Sequence, residues 1–274
     1  MGEWSRRGLT GRIAAILLLG LALALPTGGA SAATFDDGYA AYQRGDFSAA
    51  RKIWTGLAEG GEVRAQYNLG IMLDEGRGVT VDKAAAREWW RKAAAQNMPE
   101  ALHNLATSYL FGTDAETDHA EGLDFLVRAA QSGLGRSQYV LGKIYLHGRG
   151  VTVDEAKGRA WIEKAAQQGH ERAQYNMGKI TRDGIGGTAD IAAAAQWFLR
   201  AAKKGYAKAQ NHIGTRYARG EGIEKNEAEA LFWLTLAARQ KNWTAEVNRK
   251  ALAAKLPEAI VLAATKRADH WKPE

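Results

Sequence analysis

The sequence predicts an all-α fold, a right-handed α/α superhelix (solenoid) of tandem helix pairs, on three observations. "GRGVTVD" occurs at residues 76–82 and again at 148–154, so the chain repeats itself. The 72-residue interval is twice 36, and at a spacing of 36 whole columns of residues match between 62 and 241 without insertion or deletion. Proline is rare (4 residues) while Trp reaches 9, which suits a chain made mostly of helices.

The columns define five units. Gly70, Ala106, Gly142, Gly178 and Gly214 fall in register, as do Trp89, Phe125, Trp161, Trp197 and Trp233. The pairs Ala93-Ala94, Ala129-Ala130, Ala165-Ala166, Ala201-Ala202 and Ala237-Ala238 follow. Within a unit, Ala65, Leu69, Met72 and Leu73 recur at i, i+4, i+7 and i+8, one face of a first helix. The glycine loop at 76–79 ends that helix, since glycine takes the left-handed conformation that other residues avoid. Asp82, Asp118, Asp154, Asp190 and Asn226 then stand where an N-cap opens a second helix, with Glu121 and Glu229 placed to close capping boxes. Small residues at 84 and 86 and their equivalents are expected to face the Gly70 column, and the Trp column to fill the space between units. Such a unit cannot bury its face alone, so stability comes from stacking.

The ends differ from the repeats. Residues 1–32 read as an export signal: Arg6, Arg7 and Arg12 precede a thirteen-residue apolar run, Ile13 to Leu25, and Ala30-Ser31-Ala32 is a small-x-small cleavage pattern. That run is short of the roughly 20 residues a membrane span needs. The mature chain would start at Ala33, in the periplasm or outside the cell, without a membrane span. "SRRGLT" at 5–10 loosely matches a twin-arginine signal; the general secretory route fits better. Residues 33–61 are expected to form an N-terminal cap with a tight Gly45-Asp46 turn, and 242–274 a C-terminal cap whose last helix opens at Pro257.

The unit "AQYNLGIMLDEGRGVTVDKAAAREWWRKAAAQN" resembles the Sel-one-like repeat, a relative of the tetratricopeptide repeat. A-Q-Y-x-L/M-G, G-x-G-V, D-x-x-x-A and W-x-x-x-A-A recur over 62–241, with unit two ("FGTDAETD", Phe125) and unit four ("DGIGGTAD", Ile180-Thr181) departing most. Residues 38–61 are similar to half a tetratricopeptide unit. The resemblance implies a scaffold that binds a protein or peptide rather than an enzyme.

The residues support little chemistry. The Gly-x-Gly loops follow a helix, not a strand, and recur once per unit, so they are punctuation and not a phosphate cradle. No cysteine is present, which removes disulfides, thiolate zinc sites and cysteine nucleophiles. The six histidines show no metal-ligand spacing, and "DAETDH" at 114–119 lacks the glycine and glutamate of a calcium loop. It reads as a solvated loop ending at Asp118. No serine stands in a nucleophile elbow. No cofactor, metal or catalytic residue is expected. Without residues 1–32 the chain keeps 34 basic against 29 acidic residues, +5, and no basic block, which does not point to nucleic acid.

What remains is the groove. In helix-pair superhelices the first helices line the concave side, and positions 64, 67, 68 and 71 share one face. The first column reads Arg64, Glu100, Arg136, Arg172, Lys208; the second Tyr67, His103, Tyr139, Tyr175, Asn211; the third Asn68, Asn104, Val140, Asn176, His212; the fourth adds Lys143 and Lys179. An acidic, carboxylate-bearing segment would suit such a wall, with the asparagines holding its backbone and the tyrosines its apolar parts. The same residues would also serve as an ordinary solvated helix face. Two rival readings are a cell-wall or β-lactam enzyme, by analogy with the family's cysteine-rich branch, and a carbohydrate-binding module.

Overall fold

The computed structural model describes residues 33–112 and 118–274. The expected export signal and most of the "DAETDH" loop lie outside the described residues. Thr34–Glu274 is a single unit of fourteen helices, and no strand occurs among the described residues. They are α1 (Phe35–Gln43), α2 (Phe47–Glu59), α3 (Val63–Glu75), α4 (Lys83–Ala95), α5 (Pro99–Phe111), α6 (His119–Gln131), α7 (Gly135–His147), α8 (Glu155–Gln167), α9 (Glu171–Asp183), α10 (Ile191–Lys203), α11 (Ala207–Arg219), α12 (Glu227–Arg239), α13 (Trp243–Ala253) and α14 (Glu258–His270). From α1 to α13 each helix packs on the next along the chain, and α14 folds back onto α12, so the core is a series of linked clusters and not one central mass.

The N-cap and glycine C-cap signals act as read. Asp82, Asp118, Asp154, Asp190 and Asn226 each accept from backbone N–H groups in the first turn of the second helix. Such caps contribute about 1 kcal/mol each. Neither expected capping box closes; Glu229 instead forms an ion pair with Arg267 of α14. In the loop after α9, Gly184 takes the left-handed C-cap (φ 69°). Gly186 has a different duty: a Cβ there would run into the backbone of Glu155 and Ala156 at the start of α8. The second glycine of Gly-x-Gly therefore allows contact with the preceding unit.

Packing corrects one expectation and refines another. The Trp89 series does pack against clusters shared with the preceding unit, but the side chains opposite the Gly70 column belong to the position beside it. A Cβ on Gly70 would collide with the Trp90 indole, on Gly142 with Ile162, on Gly178 with Phe198 and on Gly214 with Leu234. Trp89, Phe125, Trp161 and Trp197 are only half-buried, with Lys92, Arg128, Lys164 and Arg200 one turn later lying over their rings. Trp233 alone in that column is buried, beneath Trp271 of the C-terminal tail. The position-84 alanines are exposed in every unit, whereas the position-86 series is buried throughout. One residue is a 100° step around a helix, so neighbours in sequence face different surroundings.

The A-Q-Y motif also gains a mechanical reason. Gln66, Gln138, Gln174 and Gln210 donate to Ala58, Ala130, Ala166 and Ala202, carbonyls at the end of the preceding second helix, at 3.1–3.2 Å. Those carbonyls lie past the helix's own ladder and otherwise take only the turn N–H of Gly61, Gly133, Gly169 and Gly205. Gln96, Gln168 and Gln240 reach back from the next helix to three of these glutamines. Gln174 has Lys204 in that slot, and its Oε1 is buried without a partner. Unit two replaces the glutamine with the buried Leu102.

At the C-terminus the chain doubles back. The Glu274 N–H donates to Lys203 O (2.9 Å), and Lys203 Nζ pairs with the Glu274 carboxylate (2.9 Å). No helix among the described residues is long and apolar enough to cross a membrane.

Candidate functional site

The first helices α3, α5, α7, α9 and α11 are thirteen residues each and start 36 apart, so the 64, 67, 68 and 71 columns align along one face. Side chains bridge consecutive first helices there. His103 Nδ1 and Ser137 Oγ are 2.8 Å apart, linking α5 to α7. Asn176 donates to the Tyr139 hydroxyl (3.0 Å), linking α9 to α7, and the Tyr175 hydroxyl and His212 Nε2 are 3.2 Å apart, linking α9 to α11. The Arg136 guanidinium of α7 reaches the Tyr67 hydroxyl of α3, passing over α5. Side chains two units apart can meet over the helix between them only where that face curves inward.

The face divides into two parts. In the first, Arg64 is taken up by Glu62 (2.9 Å) and lies over the Phe35 ring (4.2 Å), so it faces the N-terminal cap. Asn68 donates to the Arg64 carbonyl of its own helix. Tyr67 is buried, which raises its pKa against the opposing pull of Arg136. Asn104 is buried and Arg136 half-buried. His103 is lowered to about 3, by burial first and then by Arg136, so it is neutral at physiological pH.

The second part is cationic. Lys143, lying towards the Tyr139 ring, is lowered to about 8, by burial first and then by Arg149, Lys179 and Arg172. Arg172 and Lys179 are exposed. Tyr139 is raised to about 12 by burial and stacks on His170. Asn176 spends its amide on Tyr139 and on the Arg172 carbonyl, so it is not free to hold a ligand backbone. His212 lies flat on Phe198 (4.9 Å, 8°) and is lowered to about 4, chiefly by burial, then by Arg216, Arg182 and Lys179. Lys208 is exposed, and no hydrogen bond or ion pair among the described residues ties it to the others.

Two cations of this wall escape the column reading. Arg216 is buried over the Phe198 ring (4.6 Å), and Arg182 is gripped by Asp183 through two bonds (2.6 and 2.8 Å). Arg216 did leave a trace in the sequence: its column otherwise holds Met72, Ser108, Ile144 and Ile180, and an arginine in this mostly apolar column marks a local exception.

A solenoid of helix pairs with a polar inner face defines a repeat-built binding scaffold. The Sel1 repeat model matches residues 63–98, 99–134, 135–170, 171–206 and 207–242, and the chain belongs to the Sel1 repeat family. Sel1 repeat proteins are typically protein–protein interaction scaffolds, generally without catalysis. The Sel1 repeat protein from Oxalobacter formigenes superposes with a TM-score of 0.75 at 28% identity, over 86% of this chain and 99% of that one. A protective antigen of uropathogenic Escherichia coli strains, displaying an SLR fold, gives 0.75 at 27% identity over 85% of this chain. This chain spans about half (51%) of that protein's length. No curated protein matches the sequence.

Proposed function

We propose that the protein is an exported, non-catalytic scaffold that holds an acidic, carboxylate-bearing segment of another protein along the face of its first helices. The observation that carries this reading is the convergence of Lys143, Arg172 and Lys179 from α7 and α9, close enough for each of the other two to disfavour the Lys143 ammonium. Cations held together against their own repulsion favour a ligand of opposite charge. Arg172 offers a planar fork for carboxylates, and Lys179 a mobile point charge. The apolar run and small-x-small site before Ala33 support export.

The test is charge reversal of the exposed pair, Arg172→Glu with Lys179→Glu, in protein shown by circular dichroism to be folded. Capture of partners from a periplasmic extract at low and high salt should fall sharply, with the wild-type salt dependence lost. Unchanged capture with unchanged salt dependence would reduce the wall to a solvated surface. For export, intact mass should place the N-terminus at Ala33; a retained Met1 refutes it.

A further inference from the structure

The first part of the face contains donors without acceptors. Nε and Nη2 of Arg136 are buried and make no hydrogen bond, and Asn104, only 4% exposed, has for its Nδ2 no acceptor better than the Tyr67 hydroxyl that Arg136 also reaches. Nε and Nη2 lie on one edge of the guanidinium, the pair whose parallel N–H bonds meet both oxygens of a carboxylate. Leaving a buried donor unmet costs about 1–3 kcal/mol each, more for a charged group. Native structures rarely keep such groups without an ion, water or ligand to explain them.

The neighbours do not supply the acceptor. His103 is neutral and engaged with Ser137 Oγ, and the Tyr67 hydroxyl is a single weak acceptor. Glu100, whose charge is felt at Tyr67, forms no ion pair with Arg136. These groups also set the charge the unmet guanidinium edge will accept. One guanidinium, a neutral imidazole and a nearby carboxylate suit a planar monoanion and disfavour a phosphate dianion.

We infer that Arg136, Asn104 and Tyr67 form a seat for one carboxylate group of a bound polypeptide, distinct from the exposed cations of α9. This rests on the scaffold reading for the origin of the carboxylate but not for the existence of the seat. Arg136 would take the two oxygens side-on, and Asn104 Nδ2 would donate to one of them.

The test uses the intact protein labelled with ¹⁵N-arginine, with the Arg136 Nε–H resonance assigned by its loss in Arg136→Lys. Sodium acetate is titrated against sodium chloride at constant ionic strength. The expected result is a saturable shift of that one resonance with acetate, half-complete on the order of 1–10 mM, and none with chloride. Asn104→Leu should weaken it about tenfold, while Arg172→Glu should leave it unchanged. A linear response, or the same response to chloride, means that no carboxylate is held at that edge and overturns the inference. Two short peptides then separate the sources: an acetylated, amidated Gly-Glu-Gly carries only a side-chain carboxylate, and an acetylated Gly-Ala-Gly acid only a terminal one. Saturation by either assigns the source; acetate binding with neither peptide refutes a polypeptide ligand. If instead the Arg172/Lys179 reversal leaves partner capture and its salt dependence intact while acetate still saturates, the cationic-wall reading fails and the seat stands.

Discussion

Trp197 and Phe198 stand side by side on α10, and their surroundings differ. Trp197 is half-buried, with the Arg200 guanidinium 4.5 Å from its ring. Phe198 has no exposed surface, fills the space left open by Gly178 and carries His212 and Arg216 on its ring. The repeat's most conspicuous aromatic is therefore a partly wet neighbour of the seam. The seam itself runs through Trp54, Trp90, Leu126, Ile162, Phe198 and Leu234, a column of mixed residues that share only size and burial. The packing needs a large apolar side chain opposite a glycine or alanine, and several residues satisfy that.

The sharpest way to break this comparison is to truncate each aromatic. Phe198→Ala should lower stability by about 3–5 kcal/mol in urea denaturation, through lost burial plus a cavity. Trp197→Ala should cost about 1–2 kcal/mol, from partial burial and a cation–π contact. Equal losses, or the reverse order, would put the seam in the wrong column. A second pair probes the small residues. Ala165→Leu should overpack the junction and cost about 1–3 kcal/mol, while Ala156→Leu, on the exposed column, should stay within about 0.5 kcal/mol.

Titration separates the seam from the groove face in another way. His103 and His212 have folded-state values near 3 and 4, below the ordinary 6.5, so the unfolded chain takes up protons first as pH falls. Their contribution is complete above about 6.5 and declines down to the folded values, by at most about 1.4 kcal/mol per pH unit per histidine. Urea midpoints should drop between pH 7 and 5.5, and less so in His103→Gln, where one of the depressed histidines is gone while His147, His170 and His212 remain. A further small effect is a gain. Lys241 holds a left-handed backbone (φ 62°) in the slot where Gly133, Gly169 and Gly205 stand. Lys241→Gly should raise stability by about 0.5–1 kcal/mol, read as a small rise in Tm.

Much of this was legible beforehand because it is local. The N-cap Asp82 and its equivalents act within three residues, and the Gly184 C-cap within one turn. Gly186 was legible as a loop glycine but not as a contact with α8, because that contact lies in the preceding unit. The columns read as a groove do fall on α3, α5, α7, α9 and α11, yet Arg64 and Asn68 are spent within their own surroundings, and Asn176 on its own helix and Tyr139. Sequence spacing reports which side chains share a face, not which of them already have partners.

The sequence by itself determined the helix-pair period, the caps and the loop ends, since each follows from interactions that close inside a single unit and recur every 36 residues. Only the tertiary structure decided which of two adjacent aromatics enters the seam, because the 100° step between them selects by what the neighbouring helix presents. It also decided that Arg136 meets Tyr67 over α5 with one edge of its guanidinium unmet. That contact joins residues two units apart, and it depends on how the stacked units curve, a quantity no single repeat contains.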